Sequence, residues 1–202
     1  ISTKINFGSE AFKKYFFNTS WLLAERILRL VINLVVQILI IRYLGPSNYG
    51  LLSYGLSFVA IISSIATLGL ESILTRDLVN FPEKQNEILG SALTLRLTGA
   101  ITSILLIIIL AFIIEDSSLN ISLIIILGFQ TLFQSFNIFD YFFQSKIIAK
   151  FSAYVYLIGT ILGSIFKICL IIFQASLIYF AFAYLLETII LAIGFISFYK
   201  IN

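Results

Sequence analysis

The chain has 202 residues, 60% of them hydrophobic and 11% charged, with a formal net charge of +3 and a mean hydropathy of +1.06. That balance excludes an ordinary soluble domain, and a basic excess so small and so spread among loops excludes a nucleic-acid footprint. One cysteine, Cys169, and no histidine leave no disulfide framework, remove the commonest proton relay and metal ligand, and argue against zinc, haem or triad chemistry.

Residues 1–19 are basic and amphipathic and read as a cytoplasmic N-terminal segment. The apolar run that follows is too long for a signal-peptide core and has no small-residue cleavage site, so it is expected to be a retained first span. The chain opens on Ile1 and holds no methionine, the pattern of a piece of a longer reading frame. Runs of about 20 apolar residues, enough to cross about 30 Å at 1.5 Å per residue, predict six transmembrane helices. They lie near 20–41, 50–74, 88–113, 120–143, 152–173 and 176–199.

Lys4, Lys13 and Lys14 precede the first span, Arg76 and Lys84 follow the second, Lys146 and Lys150 follow the fourth, and Lys200 ends the sixth. The opposite loops hold Arg42, then Glu115 and Asp116, then no charge between Gln174 and Ser176. By the positive-inside rule both termini are cytoplasmic.

Span one is the least like a plain anchor. At 100° per residue, Arg26, Arg29, Asn33 and Gln37 fall within about 80° of one another on an otherwise aliphatic helix. Charges in the hydrocarbon layer cost roughly 2.5–3.5 kcal/mol each on insertion scales, so they turn toward other helices or water. Span two carries Ser53, Ser57, Ser64, Thr67, Glu71 and Thr75 on one face, and span three carries Ser91, Thr94, Thr98 and Thr102 on one side with Arg96 and Ser103 on another. Span four aligns Gln130, Gln134, Asn137, Tyr141 and Gln144 with Asp140 at the margin, span five holds Gly159, Gly163 and Lys167, and span six holds Glu187. These stripes are expected to turn inward together, and Trp21, Tyr15, Tyr43, Tyr49 and Tyr199 to form a headgroup belt.

The cations suit a phosphate, because a guanidinium presents planar donors that match phosphate oxygens bidentately. Arg26, Arg29, Arg96 and Lys167 are the candidate phosphate contacts, and Asn33, Gln37, Gln130, Gln134 and Asn137 the candidate cavity lining. Against this, Glu25 and Arg29 stand at the spacing of an ordinary helix ion pair, Arg26 is placed to reach cytoplasmic headgroups, and Lys167 could pair with Glu187 or Asp140. Glu71, Asp140 and Glu187 are the candidates for coupling a proton or a sodium ion to a conformational switch, since a carboxylate can change partners. The hydroxyl stripes and the glycine pair also fit simple helix packing.

Several ordered stretches carry a family resemblance: Trp21 to Leu30, WLLAERILRL; the turn Arg42 to Gly50, RYLGPSNYG; Leu68-Gly69-Leu70 with Thr75-Arg76-Asp77; Ile88 to Ser91 with Leu95-Arg96; and Asp140 to Lys146, DYFFQSK. Together, over about residues 18–155, they resemble the polysaccharide flippases, the Wzx-type members of the MOP superfamily that also holds the MATE exporters. The resemblance implies two six-helix lobes facing across a central cavity, with this chain as the N-terminal lobe and a second lobe as its partner. It implies translocation of an undecaprenyl-pyrophosphate-linked oligosaccharide from the cytoplasmic to the outer leaflet of a bacterial or archaeal cytoplasmic membrane, by ion-driven alternating access and without a cofactor. In that family basic residues of the first helices attract the pyrophosphate, positions matched here by Arg26 and Arg29. A multidrug or cation antiporter of the same superfamily, and a non-transporting membrane fragment or scaffold, are the rival readings; no loop offers the acidic or histidine cluster that a lipid-modifying enzyme needs.

Overall fold

A computed structural model describes residues 10–67, 70–146, 148 and 150–201; the side chains of 10–19, 65–67, 70–72 and 201 lie outside the described set, and with them the roles read for Tyr15, Thr67 and Glu71. Every regular element among the described residues is helical. In order they are α1 (Glu10–Thr67), α2 (Leu70–Asn80), a 3-10 turn at Pro82–Lys84, α3 (Gln85–Ile114), α4 (Ser118–Gly128), α5 (Gln130–Gln134), a 3-10 turn at Ser135–Asn137, α6 (Ile138–Ser145), α7 (Lys150–Ile172) and α8 (Leu177–Ile201). Among the described residues five stretches are long and apolar enough to cross a membrane: Ser20–Ser64, Pro82–Ile114, Ser118–Ser145, Lys150–Ile172 and Leu177–Lys200.

The sequence predicts six such helices, and the difference lies in the first stretch. Its 45 residues would run roughly 68 Å if straight, but the backbone breaks at Gly45, with φ 71° and ψ 170°. Gln37 Nε2 donates to the Tyr49 hydroxyl at 2.5 Å across twelve residues, which a straight helix would separate by about 18 Å along its axis. Asn33 and Leu56 line one cavity. The two arms of α1 therefore fold back on each other, and Pro46 opens the second arm where its missing N–H needs no partner.

Gly45→Ala is expected to destabilise the protein by about 1–3 kcal/mol, because this region of φ and ψ is essentially reserved for glycine. Nothing lies within 4 Å of the added Cβ, so the cost is that of the backbone alone. An unfolding midpoint in detergent equal to that of the parent chain would contradict a glycine-dependent turn.

Two apolar clusters sandwich a polar layer. Val36, Ile40, Leu52, Ile107, Leu127 and Phe180 belong to one cluster; Leu78, Leu89, Phe139, Phe143, Val155 and Phe195 belong to the other. Between the two along α3 stand Arg96 and Ser103, along the α4 to α6 stretch Gln130, Thr131 and Ser135, and along α7 Thr160, Ser164 and Lys167, all buried. The polar side chains thus sit midway along helices of crossing length, where they must satisfy one another or face a cavity.

At the end beside Gly45 the loops are tied by side chains. The Tyr43 hydroxyl donates to the Ala175 carbonyl at 2.9 Å, and Glu115 accepts from the Tyr54 hydroxyl at 2.6 Å and from Asn120 Nδ2 at 2.9 Å. Those two hydrogen bonds, that of Tyr54 first, hold the Glu115 carboxyl below its ordinary 4.5 against a smaller upward push from desolvation. A depressed folded-state value means that the stabilisation is fully present above pH 4.5 and is lost as pH falls through the lower folded value. Tyr54→Phe should therefore lower the unfolding midpoint at neutral pH, with the gap to the parent chain closing in acid; a gap that widens in acid would contradict this.

One expectation is corrected. Ser91, Thr94, Thr98 and Thr102 of α3 do not turn inward but lie exposed on the surface of the chain. The Thr94, Thr98 and Thr102 hydroxyls donate to the carbonyls of Gly90, Leu95 and Thr98, at 2.9 Å each. A hydroxyl satisfied by its own helix needs no partner, whereas the Arg96 charge on the other side of α3 is buried. Of the tyrosines expected at a headgroup belt, Tyr43 and Tyr49 make the contacts above, and Tyr199 donates to Asn86 Oδ1 and packs on Phe139 at 4.5 Å.

Candidate functional site

The polar layer centres on a contact between α7 and α8. Lys167 Nζ lies 2.6 Å from Glu187 Oε2 and 3.9 Å from the centre of the Tyr184 ring. Tyr184 and Glu187 stand three residues apart on α8 and so share a face, as Gly163 and Lys167 do at four residues on α7. A Cβ on Gly163 would come within 2.9 Å of Glu187 Cδ and 3.0 Å of its Oε2. The glycine therefore lets the carboxylate lie against the α7 backbone, one turn from the ammonium it pairs with. Packing is what the sequence suggests for Gly159 and Gly163, and at Gly163 that packing also positions an ion pair.

From this contact a chain of hydrogen bonds runs to α1. The Tyr184 hydroxyl donates to Gln37 Oε1 at 3.2 Å, and Gln37 in turn donates to Tyr49. A cavity of about 380 Å³ opens there, lined by Asn33, Gln37, Gln130, Lys167, Tyr184 and Glu187, with Leu56 and Leu191 as its apolar walls. Gln130 is only 7% exposed, and its amide has no hydrogen-bond partner among the described residues, so its free donors and acceptor face the cavity. Beside the cavity, Leu30, Val31, Leu34 and Ile38 of α1 line an apolar groove of about 630 Å³ that shares Asn33 and Gln37 with it.

A second cluster joins α1, α6 and α7. Glu25, 2% exposed, lies 2.8 Å from Arg29, and the Arg29 guanidinium sits 4.5 Å from the centre of the Tyr156 ring. The Tyr156 hydroxyl and Gln144 Nε2 both donate to Asp140 Oδ2 at 3.1 Å. Arg96 is placed apart from both clusters, over the Tyr141 ring at 5.3 Å, with its backbone carbonyl accepting from Ser135 Oγ at 3.3 Å. Among the described residues no three His, Cys, Asp or Glu side chains gather where a metal ion could be held.

The predicted phosphate set does not converge. Arg26 is exposed on α1, Arg29 is engaged by Glu25 and Tyr156, Arg96 is buried against Tyr141, and Lys167 is compensated by Glu187. Of the predicted lining, Asn33, Gln37 and Gln130 meet in one cavity. Gln134 and Asn137 are not among its lining; Asn137 ends a 3-10 turn, Ser135–Asn137, whose three residues per turn rotate it off the α-helical stripe. Asp140 and Glu187 stand in separate clusters. Tyr156, Tyr184 and Thr188 escaped the sequence reading; the signal for Tyr184 was its spacing of three from Glu187.

No known family model, no curated protein and no solved structure matches this chain.

Proposed function

We propose that the chain is one lobe of a transporter that carries an undecaprenyl-pyrophosphate-linked oligosaccharide from the cytoplasmic to the outer leaflet, in a bacterial or archaeal cytoplasmic membrane, for surface polysaccharide. The observation that carries the reading is the adjacency of a polar, amide-lined cavity and an apolar groove on α1, midway along helices of crossing length. A membrane anchor or scaffold has no use for such a pair, whereas an amphiphile with a sugar headgroup and a polyprenyl tail fits it. The ordered motifs from Trp21 to Lys146 support the same reading.

In this account the two arms of α1 make two crossings and bring the lobe to six, both termini are cytoplasmic, and a second lobe closes the far wall. Arg26, an exposed guanidinium on α1, meets the pyrophosphate, and the tail follows Leu30 to Ile38. A proton or sodium gradient supplies the drive, with Asp140, whose Oδ1 is buried without a hydrogen-bond partner among the described residues, as the carboxylate that takes up the ion. Disrupting the gene for this chain should empty the cell surface of polysaccharide and leave its lipid-linked precursor on the cytoplasmic leaflet. Unchanged surface polysaccharide with no stalled precursor would sink the reading, and a change confined to drug susceptibility would favour an antiporter of organic cations.

A further inference from the structure

We infer that the cavity between α1, α5, α7 and α8 is a subsite for a single neutral sugar ring, not for the phosphate of the substrate or for a free ion. The inference rests on the proposed transport of a saccharide-bearing lipid, and it specifies which part of that lipid enters here.

Charge comes first. Lys167 and Glu187 cancel at 2.6 Å, and the Tyr184 ring face covers the ammonium at 3.9 Å. An incoming anion would have to approach the Glu187 carboxylate, and an incoming cation the Lys167 ammonium. Either must break the pair and leave an uncompensated charge at membrane depth. A ligand without charge meets no such cost.

The groups left free define its chemistry. Gln130 is 7% exposed and its amide makes no hydrogen bond among the described residues, and the Asn33 amide at the mouth is exposed and makes no side-chain hydrogen bond. Gln37 has spent one donor on Tyr49 and one lone pair on the Tyr184 hydroxyl, leaving one of each. Amides that both donate and accept match vicinal hydroxyls, which do the same, while Leu56 and Leu191 offer an apolar surface to the C–H face of a ring. The volume of about 380 Å³ sits at the low end of the roughly 300–1,000 Å³ found for small-molecule pockets and is room for one ring.

The test is saturation-transfer NMR on the full 202-residue chain in nanodiscs, with methyl glucoside, methyl N-acetylglucosaminide, glucuronate and inorganic pyrophosphate as probes. The two neutral glycosides should bind and glucuronate should bind more weakly. Gln130→Leu should weaken the glycosides about tenfold, the size of one buried hydrogen bond lost, without changing the response to pyrophosphate. Should Gln130→Leu fail to fold, Asn33→Ala at the exposed mouth takes its place with the same expectation. Absence of binding by both neutral glycosides, equal binding by parent and variant, or loss of pyrophosphate binding with Gln130→Leu would each overturn the subsite. Failure here, with surface polysaccharide still lost on gene disruption, would leave the transport reading standing and place the sugar elsewhere.

Discussion

Lys167→Met alone is expected to destabilise the protein by about 3–5 kcal/mol, because it leaves the Glu187 carboxylate without its counter-charge between two packed helices. The two side chains are 6% and 17% exposed, so water replaces the lost partner only in part. Combining Lys167→Met with Glu187→Leu should return most of that loss, since an apolar pair in place of a buried ion pair is often neutral or stabilising. Unfolding midpoints in mixed micelles for both single variants and the double variant close the cycle. Additive losses would show that the 2.6 Å contact carries no coupling and would undo the charge argument for the cavity.

The second large effect is expected at Gly163→Ala, at roughly 3 kcal/mol. The added Cβ would stand 2.9 Å from Glu187 Cγ and Cδ, so the carboxylate must swing away, and when it moves the pair with Lys167 breaks. Glu187→Gln should make the protein less sensitive to the alanine, because less electrostatic energy is left to lose. This separates a positioning role from ordinary helix packing, under which Gly163→Ala would cost the same in both backgrounds. Gly194, where a Cβ would meet Val155 Cγ1 at 2.9 Å and no charge is involved, supplies the control for plain packing.

Helix existence was plain in the sequence because apolar runs of crossing length leave little choice. The predicted spans 88–113, 152–173 and 176–199 fall within a few residues of α3, α7 and α8, and the Gly45-Pro46 turn was visible from residue chemistry alone. Side-chain pairing was less legible. The sequence left Lys167 between Glu187 and Asp140, and what decides is the close approach of α7 and α8 at Gly159 and Gly163, a tertiary fact that helical periodicity does not encode. The α3 hydroxyls misled because a helical stripe records a shared face and not which way that face turns; threonines bonded to their own backbone need no partner from another helix. Convergence of the four cations was expected from their depth, yet burial drew three of them onto local partners, Arg29 to Glu25 and Tyr156, Arg96 to Tyr141 and Lys167 to Glu187. The amides of Asn33, Gln37 and Gln130 do meet. Arg26, by contrast, is left exposed on α1 and does not line that cavity.

On the proposed function the polar layer is open to water within the membrane. Cysteine accessibility in native membranes tests it most directly, starting from a Cys169→Ala background so that no other thiol is present. Asn33→Cys at the cavity mouth and Leu105→Cys on the exposed apolar face of α3 would each be exposed to a charged thiol reagent that cannot enter lipid, with both faces of the membrane accessible. The account predicts rapid labelling at Asn33→Cys and none at Leu105→Cys; an Asn33→Cys variant as inert as Leu105→Cys would contradict it.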